Sequence, residues 1–273
     1  MTTSDAVQAK VARASDGALL HYEVAGDGPP VVFLHGAYAS RFAFRFQRDS
    51  LAADFRVIVR DLRGHDGAPS VAPEGFGFQT TEVDDLDAVL EAEGLDRVHL
   101  VGHSTGGTIA FSFALHHPDR VGKVVLLEPT LLPFVPLDFW ATPSWTGALE
   151  RGRTDGGRSL VDGAMTEFIG ADWRTRMSPR WVARLEAQAA IALAHMEAWF
   201  EFDITDDDLA ALQPPTLVLY GENGLETQPF MRARMAAVRP GIEWRAIAGA
   251  GHNLHLDQPE AVSAAIRAFL TAR

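Results

Sequence analysis

The chain has 273 residues, of which 47% are hydrophobic and 22% are charged, and its formal net charge at pH 7 is −12. This composition is typical of a water-soluble globular protein, and the acidic balance argues against a nucleic acid or an anionic membrane as partner, since phosphate groups are bound by clustered Lys and Arg. The absence of cysteine excludes disulfides, thiolate nucleophiles and zinc sites built from Cys.

The N-terminal stretch MTTSDAVQAKVARASDG has no apolar core of signal-peptide length, and nowhere does the chain contain a run of about 18 apolar residues. We therefore expect a protein without an obvious export signal and without a membrane span, and the cytoplasm is its default location. A small molecule is the expected partner. The sequence leaves open whether the chain forms a homodimer.

Eight β-type segments recur along the chain, and most of those from the third onward alternate with helical patterns. They cover residues 8–14, 18–25, 30–35, 55–61, 97–102, 121–128, 214–220 and 242–248. The runs VVFL, VIV, VVLL and TLVLY are apolar on both faces, which is typical of parallel strands covered by helices on both sides. The first two segments are better interpreted as an antiparallel hairpin at the edge of the sheet.

Helical patterns are predicted at residues 80–94, 105–117, 228–238 and 259–271. Strands and helices that alternate in this way predict an α/β fold with an open, doubly wound, mostly parallel sheet of eight strands.

One region interrupts the alternation, because more than 80 residues between Glu128 and Pro215 contain no convincing strand. We predict a helical cap at residues 131–211, inserted into a core domain of residues 1–130 and 212–273. Five of the six tryptophans lie in this region, and we expect most of them to form its own core and a minority to line a cleft. They are Trp140, Trp145, Trp173, Trp181 and Trp199.

The stretch RVHLVGHSTGGTIAFSF, residues 97–113, places a lone serine between glycines where a strand meets a helix. Gly and Ser are ordinary turn residues, but Gly-x-Ser-x-Gly in this context is typical of a nucleophile elbow. The serine takes a strained backbone conformation there, so the residues two before and two after it must be small. Gly102 and Gly106 meet that demand, and Ser104 is therefore the predicted nucleophile.

Serine is a poor nucleophile at neutral pH, so a base is expected further along the chain. His252 is the predicted base, because it follows a glycine in the loop between the last strand and the final helix. His255, three residues later, is its rival. His103 within the elbow and His35 in FLHG are interpreted as structural.

The stretch VVFLHGAYAS predicts the second half of an oxyanion hole, since a buried strand there ends in a turn. The predicted hole consists of the backbone amides of Ala37 and Thr105, with Gly36 in the turn beside them. His35 is expected to brace this loop.

The motifs FLHGAY, RDLRGHDGAPS, GHSTGG, HHPDRVGKVVLLEP and GAGHNLHLDQPEAV, in this order, resemble the α/β-hydrolase superfamily over essentially the whole chain. The resemblance implies a Ser, acid, His triad and a helical cap inserted after the sixth strand. RGHDG departs mildly from the family pattern, because Asp66 stands where a glycine is commoner. No metal or cofactor is required for the implied hydrolysis.

The sequence offers three candidates for the acid of the triad. Most of the superfamily carries it after the seventh strand in a Gly-x-x-Asp turn, but counting from Gly221 the expected Asp is Gly224. We favour Glu128, because a carboxylate that directly follows a buried strand is costly unless it has a partner. Glu226 is the alternative, and Glu222 would require a rebuilt loop.

A Glu after the sixth strand resembles the zearalenone-type lactonases within this superfamily. That likeness implies an aromatic residue over the substrate, for which Trp199 in MEAWFEFD is the candidate. Haloalkane dehalogenases also carry an acid at this point, but they use Asp as nucleophile, and Ser104 argues against them.

A serine hydrolase of esters or lactones with an apolar or aromatic substrate is the favoured function. A carbon–carbon bond hydrolase on the same triad is an alternative, and it would use a cationic group from Arg174, Arg176, Arg180 or Arg184. A cofactor-free dioxygenase and a small-molecule receptor on the same fold remain further alternatives.

Overall fold

The structure, a computed structural model, describes residues 7–65, 74–140, 143–168 and 170–272, without the side chains of 139–140, 143–145 and 167–168. Within these ranges the strands are β1 (Gln8–Arg13), β2 (Leu19–Ala25), β3 (Pro30–Leu34), β4 (Arg56–Arg60), β5 (Val98–His103), β6 (Val121–Leu127), β7 (Thr216–Gly221) and β8 (Glu243–Ile247). The helices are α1 (Arg45–Leu51), α2 (Thr81–Ala92), α3 (Thr105–His116), α4 (Leu137–Trp140), α5 (Pro143–Asp155), α6 (Arg158–Phe168), α7 (Trp173–Arg176), α8 (Pro179–Ala187), α9 (Ala189–Glu201), α10 (Asp206–Ala211), α11 (Gln228–Val238), α12 (Leu254–Asp257) and α13 (Pro259–Thr271).

The eight strands form one sheet in the order β1-β2-β4-β3-β5-β6-β7-β8. β2 is antiparallel to both β1 and β4, and the remaining neighbours are parallel, which confirms the predicted fold class and the edge hairpin. Every predicted strand and each of the four predicted helices agrees with an observed element to within two residues at either end. The elbow strand β5 lies between β3 and β6, so the loops after these three strands meet at one edge of the sheet.

Apolar side chains cover both faces of the sheet, as the continuous hydrophobic runs predict. In β3, Val31 and Phe33 pack on one face against helices α1 and α13, while Val32 and Leu34 pack on the other against α2 and α3. This alternation in a strand without polar residues requires helices on both sides. The central strands are therefore buried on both faces, and they position the loops at their carboxyl ends.

The seven helices α4–α10 lie between β6 and β7, and we call them the inserted helices. Trp173 is fully buried in an apolar cluster of their own, with Leu160, Met165 and Met196. Ile191 and other residues of the same segment pack into the core cluster beside the sheet. The division into a core and a cap at the predicted boundaries stays a prediction. No helix among the described residues is long and apolar enough to cross a membrane.

Several histidines are buried in the neutral form. His195 on α9 stacks on Phe76 with ring centroids 5.5 Å apart, and its ring lies 5.4 Å from that of His65. Neither ring nitrogen of His195 has a hydrogen-bond partner among the described residues. Burial lowers the pKa of His195 well below its ordinary value and lowers the pKa of His65 to about 4.

We predict that the free energy of unfolding falls as the pH is lowered below about 6.5, where an unfolded His begins to bind a proton and these buried rings do not. Each such ring contributes a slope of up to about 1.4 kcal/mol per pH unit. Urea unfolding of wild type and His195→Phe at about pH 7.5 and about pH 5.5 measures the effect. The variant should lose less stability than wild type on acidification, and equal losses would contradict the prediction.

Candidate active site

The elbow at Ser104 has the backbone geometry that its glycines allow. Ser104 lies between β5 and α3 with φ 52° and ψ −118°, in a region that non-glycine residues rarely adopt. A Cβ atom at Gly102 would lie 2.2 Å from the carbonyl oxygen of Gly106, and one at Gly106 would lie 2.1 Å from that of Leu34. The strand and the helix can pass each other only because both positions lack a side chain.

The hydroxyl of Ser104 lies next to a second hydroxyl that the sequence did not single out. Its Oγ is 3.1 Å from Oγ1 of Thr130, and the amide of Thr130 donates to the Ser104 carbonyl oxygen at 3.3 Å. Thr108 on α3 fixes this threonine by donating from its own Oγ1 to the Thr130 carbonyl oxygen at 2.8 Å. The only available signal was that Thr130 follows β6, the strand next to the elbow.

Glu128 and His252 meet at the end of β6. Oε2 of Glu128 lies 3.4 Å from Nδ1 of His252, a long hydrogen bond. The Glu128 side chain is fully buried, and its carboxylate accepts hydrogen bonds from the amides of Gly221 at 2.8 Å and Leu225 at 2.9 Å. Two backbone donors and an imidazole thus stabilise a charge that would otherwise be costly to bury.

The absence of a side chain at Gly224 leaves room for the Glu128 carboxylate. A Cβ atom at Gly224 would lie 2.0 Å from Oε1 and 2.6 Å from Cδ of Glu128, so the carboxylate occupies the volume of any side chain at position 224. Glu226 is exposed and lines a separate groove with Arg232 and Trp244. Glu222 is also exposed and accepts a hydrogen bond from the Gly249 amide at 3.0 Å.

The two amides of the predicted oxyanion hole have no partner in the described ranges. Neither the Ala37 nor the Thr105 backbone N–H donates to a residue of those ranges, and Thr105 is the first residue of α3. Free amides at a helix N-terminus attract negative charge. Gly36 packs against the elbow, because a Cβ atom there would lie 3.0 Å from the Cβ of Ser104.

His35 braces the turn that carries Ala37. Its Nε2 accepts a hydrogen bond from the Leu62 amide at 3.0 Å, so the ring proton is on Nδ1, which donates to the Gly36 carbonyl oxygen at 2.7 Å. Complete burial lowers its pKa well below the ordinary value and keeps the ring neutral.

The remaining two histidines of the site are buried beside His252. Nε2 of His103 donates to the carbonyl oxygen of His252 at 3.0 Å, which ties the last loop to the elbow. The ring of His255 lies 4.4 Å from that of His103, and neither of its nitrogens has a hydrogen-bond partner in the described part of the chain. Burial lowers the pKa of His255 to about 3. Of the two rival bases, His252 is the one whose ring lies within hydrogen-bond distance of the Glu128 carboxylate.

A cavity of about 540 Å³ opens above the elbow, between the loops of the sheet and the inserted helices. Trp199 and Trp181 line it, whereas Trp173 belongs to the buried cluster. The side chains of Trp140 and Trp145 lie outside the described residues, as does Asp66.

Charged side chains are scarce in this cavity. Of its described lining residues only Arg151 belongs to Lys, Arg, Asp and Glu, so none of the four arginines considered from the sequence is among them. In the described ranges no group of three or more His, Asp and Glu side chains is arranged to hold a metal ion.

The sequence profile of the family described as "Alpha/beta hydrolase family" matches residues 31–265 of the chain. The chain belongs to the α/β-hydrolase family. It is therefore an enzyme of the hydrolase class.

Relatives of this α/β-hydrolase include esterases and a lactone-degrading enzyme. The carboxylesterase YbfK of Bacillus subtilis is 27% identical over 248 residues, which cover 89% of this chain and 81% of that protein. A thermophilic esterase from Thermogutta terrifontis has a TM-score of 0.75 and 30% identity, covering 96% of this chain and 98% of its own. A solved N-acyl homoserine lactone degrading enzyme has a TM-score of 0.73 and 28% identity, covering 95% and 100%.

Proposed function

We propose that this α/β-hydrolase cleaves carboxylic esters or lactones through an acyl-enzyme on Ser104, with His252 as general base and Glu128 as the acid of the triad. The observation that carries the proposal is the buried Glu128 carboxylate, which lies 3.4 Å from Nδ1 of His252. The loop that contains His252 is hydrogen-bonded to the elbow through His103. The relatives described as carboxylesterase, esterase and lactone-degrading enzyme support the choice of substrate class.

The first half of the reaction acylates the serine. His252 removes the proton of the Ser104 hydroxyl while its oxygen attacks the acyl carbon, and the imidazolium that forms is stabilised by the Glu128 carboxylate on Nδ1. The amides of Ala37 and Thr105 hold the oxyanion. The alcohol leaves with the proton that His252 returns to it.

The second half releases the acid. Water gives its proton to His252 and attacks the acyl carbon, and the resulting tetrahedral intermediate collapses to restore the Ser104 hydroxyl. In both halves the negative charge develops on the same acyl oxygen, so one oxyanion hole serves both. The triad and the hole supply all the proton transfers and charge stabilisation that this hydrolysis requires.

The walls of the cavity favour an apolar or aromatic substrate. Leu160, Met165, Leu185, Met196 and Trp199 line it from the inserted helices, which we propose to act as the cap over residues 131–211. Trp199 is the aromatic residue that we expect to contact the substrate. The likeness to zearalenone-type lactonases favours aromatic lactones within this class.

A substrate panel tests the proposed function. Purified enzyme is assayed on p-nitrophenyl esters, on aromatic and macrocyclic lactones and on diketone acids, with oxygen uptake followed in parallel. We expect turnover of an ester or a lactone without oxygen consumption. Oxygen uptake that continues in Ser104→Ala would instead indicate the cofactor-free dioxygenase, and turnover of diketone acids alone would indicate the carbon–carbon hydrolase.

A further inference from the structure

We propose that Arg151 and Ser159 form an anion-binding subsite of the cavity, so that preferred substrates carry a carboxylate at a distance from the bond that is cleaved. This inference rests on the proposed function for the reaction, but the subsite itself is a statement about binding. It assigns a chemical class to a substrate that the apolar walls leave undefined.

The position of Arg151 is the first observation. It lies on α5, is exposed, and is the only one of the described lining residues with a permanently charged side chain. A residue that lines a cavity and is also exposed lies at the opening. A guanidinium at the opening of an apolar cavity attracts an anion and leaves the apolar part of the ligand to enter.

The missing counter-ion of Arg151 is the second observation. Two arginines of the inserted helices have carboxylate partners, Arg153 with Glu197 at 2.8 Å and Arg174 with Asp162. Arg151 has no ion pair with any residue of the described ranges. Asp155, one turn further along α5, instead accepts a hydrogen bond from the Ser159 amide at 2.9 Å.

The hydroxyl of Ser159 is the third observation. Ser159 lines the same cavity from the start of α6, which packs against α5, and its buried Oγ has no hydrogen-bond partner in the described part of the chain. Rotation about χ1 carries a serine hydroxyl between staggered positions at low cost. Such a rotation would turn the hydroxyl, a neutral donor, into the cavity that Arg151 also lines.

The donor set indicates a carboxylate rather than a phosphate monoester. The planar guanidinium presents two parallel N–H groups that match the two oxygens of a carboxylate. A single cation balances a monoanion, whereas a phosphate dianion would leave uncompensated charge in a protein whose net charge is −12. A half-ester of a dicarboxylic acid combines such a carboxylate with an apolar chain and a cleavable ester.

The experiment measures binding in the absence of turnover. Ser104→Ala is titrated by calorimetry with monomethyl adipate, suberate and sebacate, and with the methyl esters of the unsubstituted acids of the same chain lengths. We expect at least one half-ester to bind about tenfold more tightly than its neutral counterpart. Adding Arg151→Leu should abolish this preference, Ser159→Ala should weaken it, and Arg153→Leu, on the same helix but paired with Glu197, should retain it.

The outcomes separate the subsite from the reaction. The inference is overturned if no half-ester is preferred, or if Arg151→Leu and Arg153→Leu reduce the preference equally. Hydrolysis of the neutral esters by the enzyme with Ser104 intact reports on the proposed function independently. Half-ester binding that depends on Arg151 in a protein that hydrolyses no ester would retain the subsite and reject the proposed reaction.

Discussion

We expect Ser104→Ala to lower kcat for ester hydrolysis by about a million-fold, since removal of a triad nucleophile costs about as much as removal of the whole triad. The alanine has no oxygen to form the acyl-enzyme, while the cavity and the oxyanion amides remain. KM should therefore change far less than kcat.

Ser112→Ala is the matched control for this variant. Ser112 lies on the same helix α3, is buried, and donates to the carbonyl oxygen of Thr108 at 2.9 Å without lining the cavity. Steady-state kinetics of the two variants, with circular dichroism to check folding, make the comparison. Substantial turnover in folded Ser104→Ala, or an equal loss in Ser112→Ala, would reject Ser104 as nucleophile.

Glu128→Gln should lower kcat by about 10⁴-fold, the cost measured when a triad Asp is replaced by its amide elsewhere. The amide has nearly the shape of the carboxylate but carries no charge to stabilise the imidazolium of His252. In either orientation its NH₂ group faces a backbone N–H from which it cannot accept, that of Gly221 at Oε1 or that of Leu225 at Oε2. With the NH₂ group at Oε2 it would also hold the His252 imidazole in the unproductive tautomer.

Glu226→Gln is the control, because that side chain is exposed and we expect its removal to leave kcat unchanged. A second variant pair uses the space shared by Glu128 and Gly224. Gly224→Asp alone should destabilise the protein, since its Cβ would lie 2.0 Å from Glu128 Oε1. In Glu128→Ala the same substitution should restore part of the lost activity. A large loss in Glu226→Gln with none in Glu128→Gln would contradict the assignment.

The sheet could be predicted from the sequence because its strands are apolar on both faces. A run such as VVFL in β3 has no polar residue that could face solvent, so both faces of the strand must be buried. A central parallel strand covered by helices on both sides meets this requirement. Helix α1 was missed, because Phe42, Phe44 and Phe46 alternate in RFAFRF and this spacing does not have the helical period. The helical conformation of that segment instead follows from the burial of Phe44 and Leu51 against one face of the sheet.

The site was predictable where chemistry restricts the residue type and not where only packing does. The glycines around Ser104 are required by contacts of about 2 Å that any Cβ would make, so the motif predicts the elbow. Thr130 and Arg151 have no such restriction in the sequence, and only the fold brings them to the elbow and to the cavity. Trp199 was a candidate from the family resemblance alone, and its place on the cavity depends on how the inserted helices pack.

The central claim is that Ser104 carries the acyl group during turnover. Wild-type enzyme mixed with a p-nitrophenyl ester, quenched in acid within the first turnover and digested, is analysed by mass spectrometry for the peptide that contains Ser104. We predict the mass of the acyl group on the peptide at Ser104. Turnover of the ester with an unmodified Ser104, or with the acyl group on another residue, would contradict it.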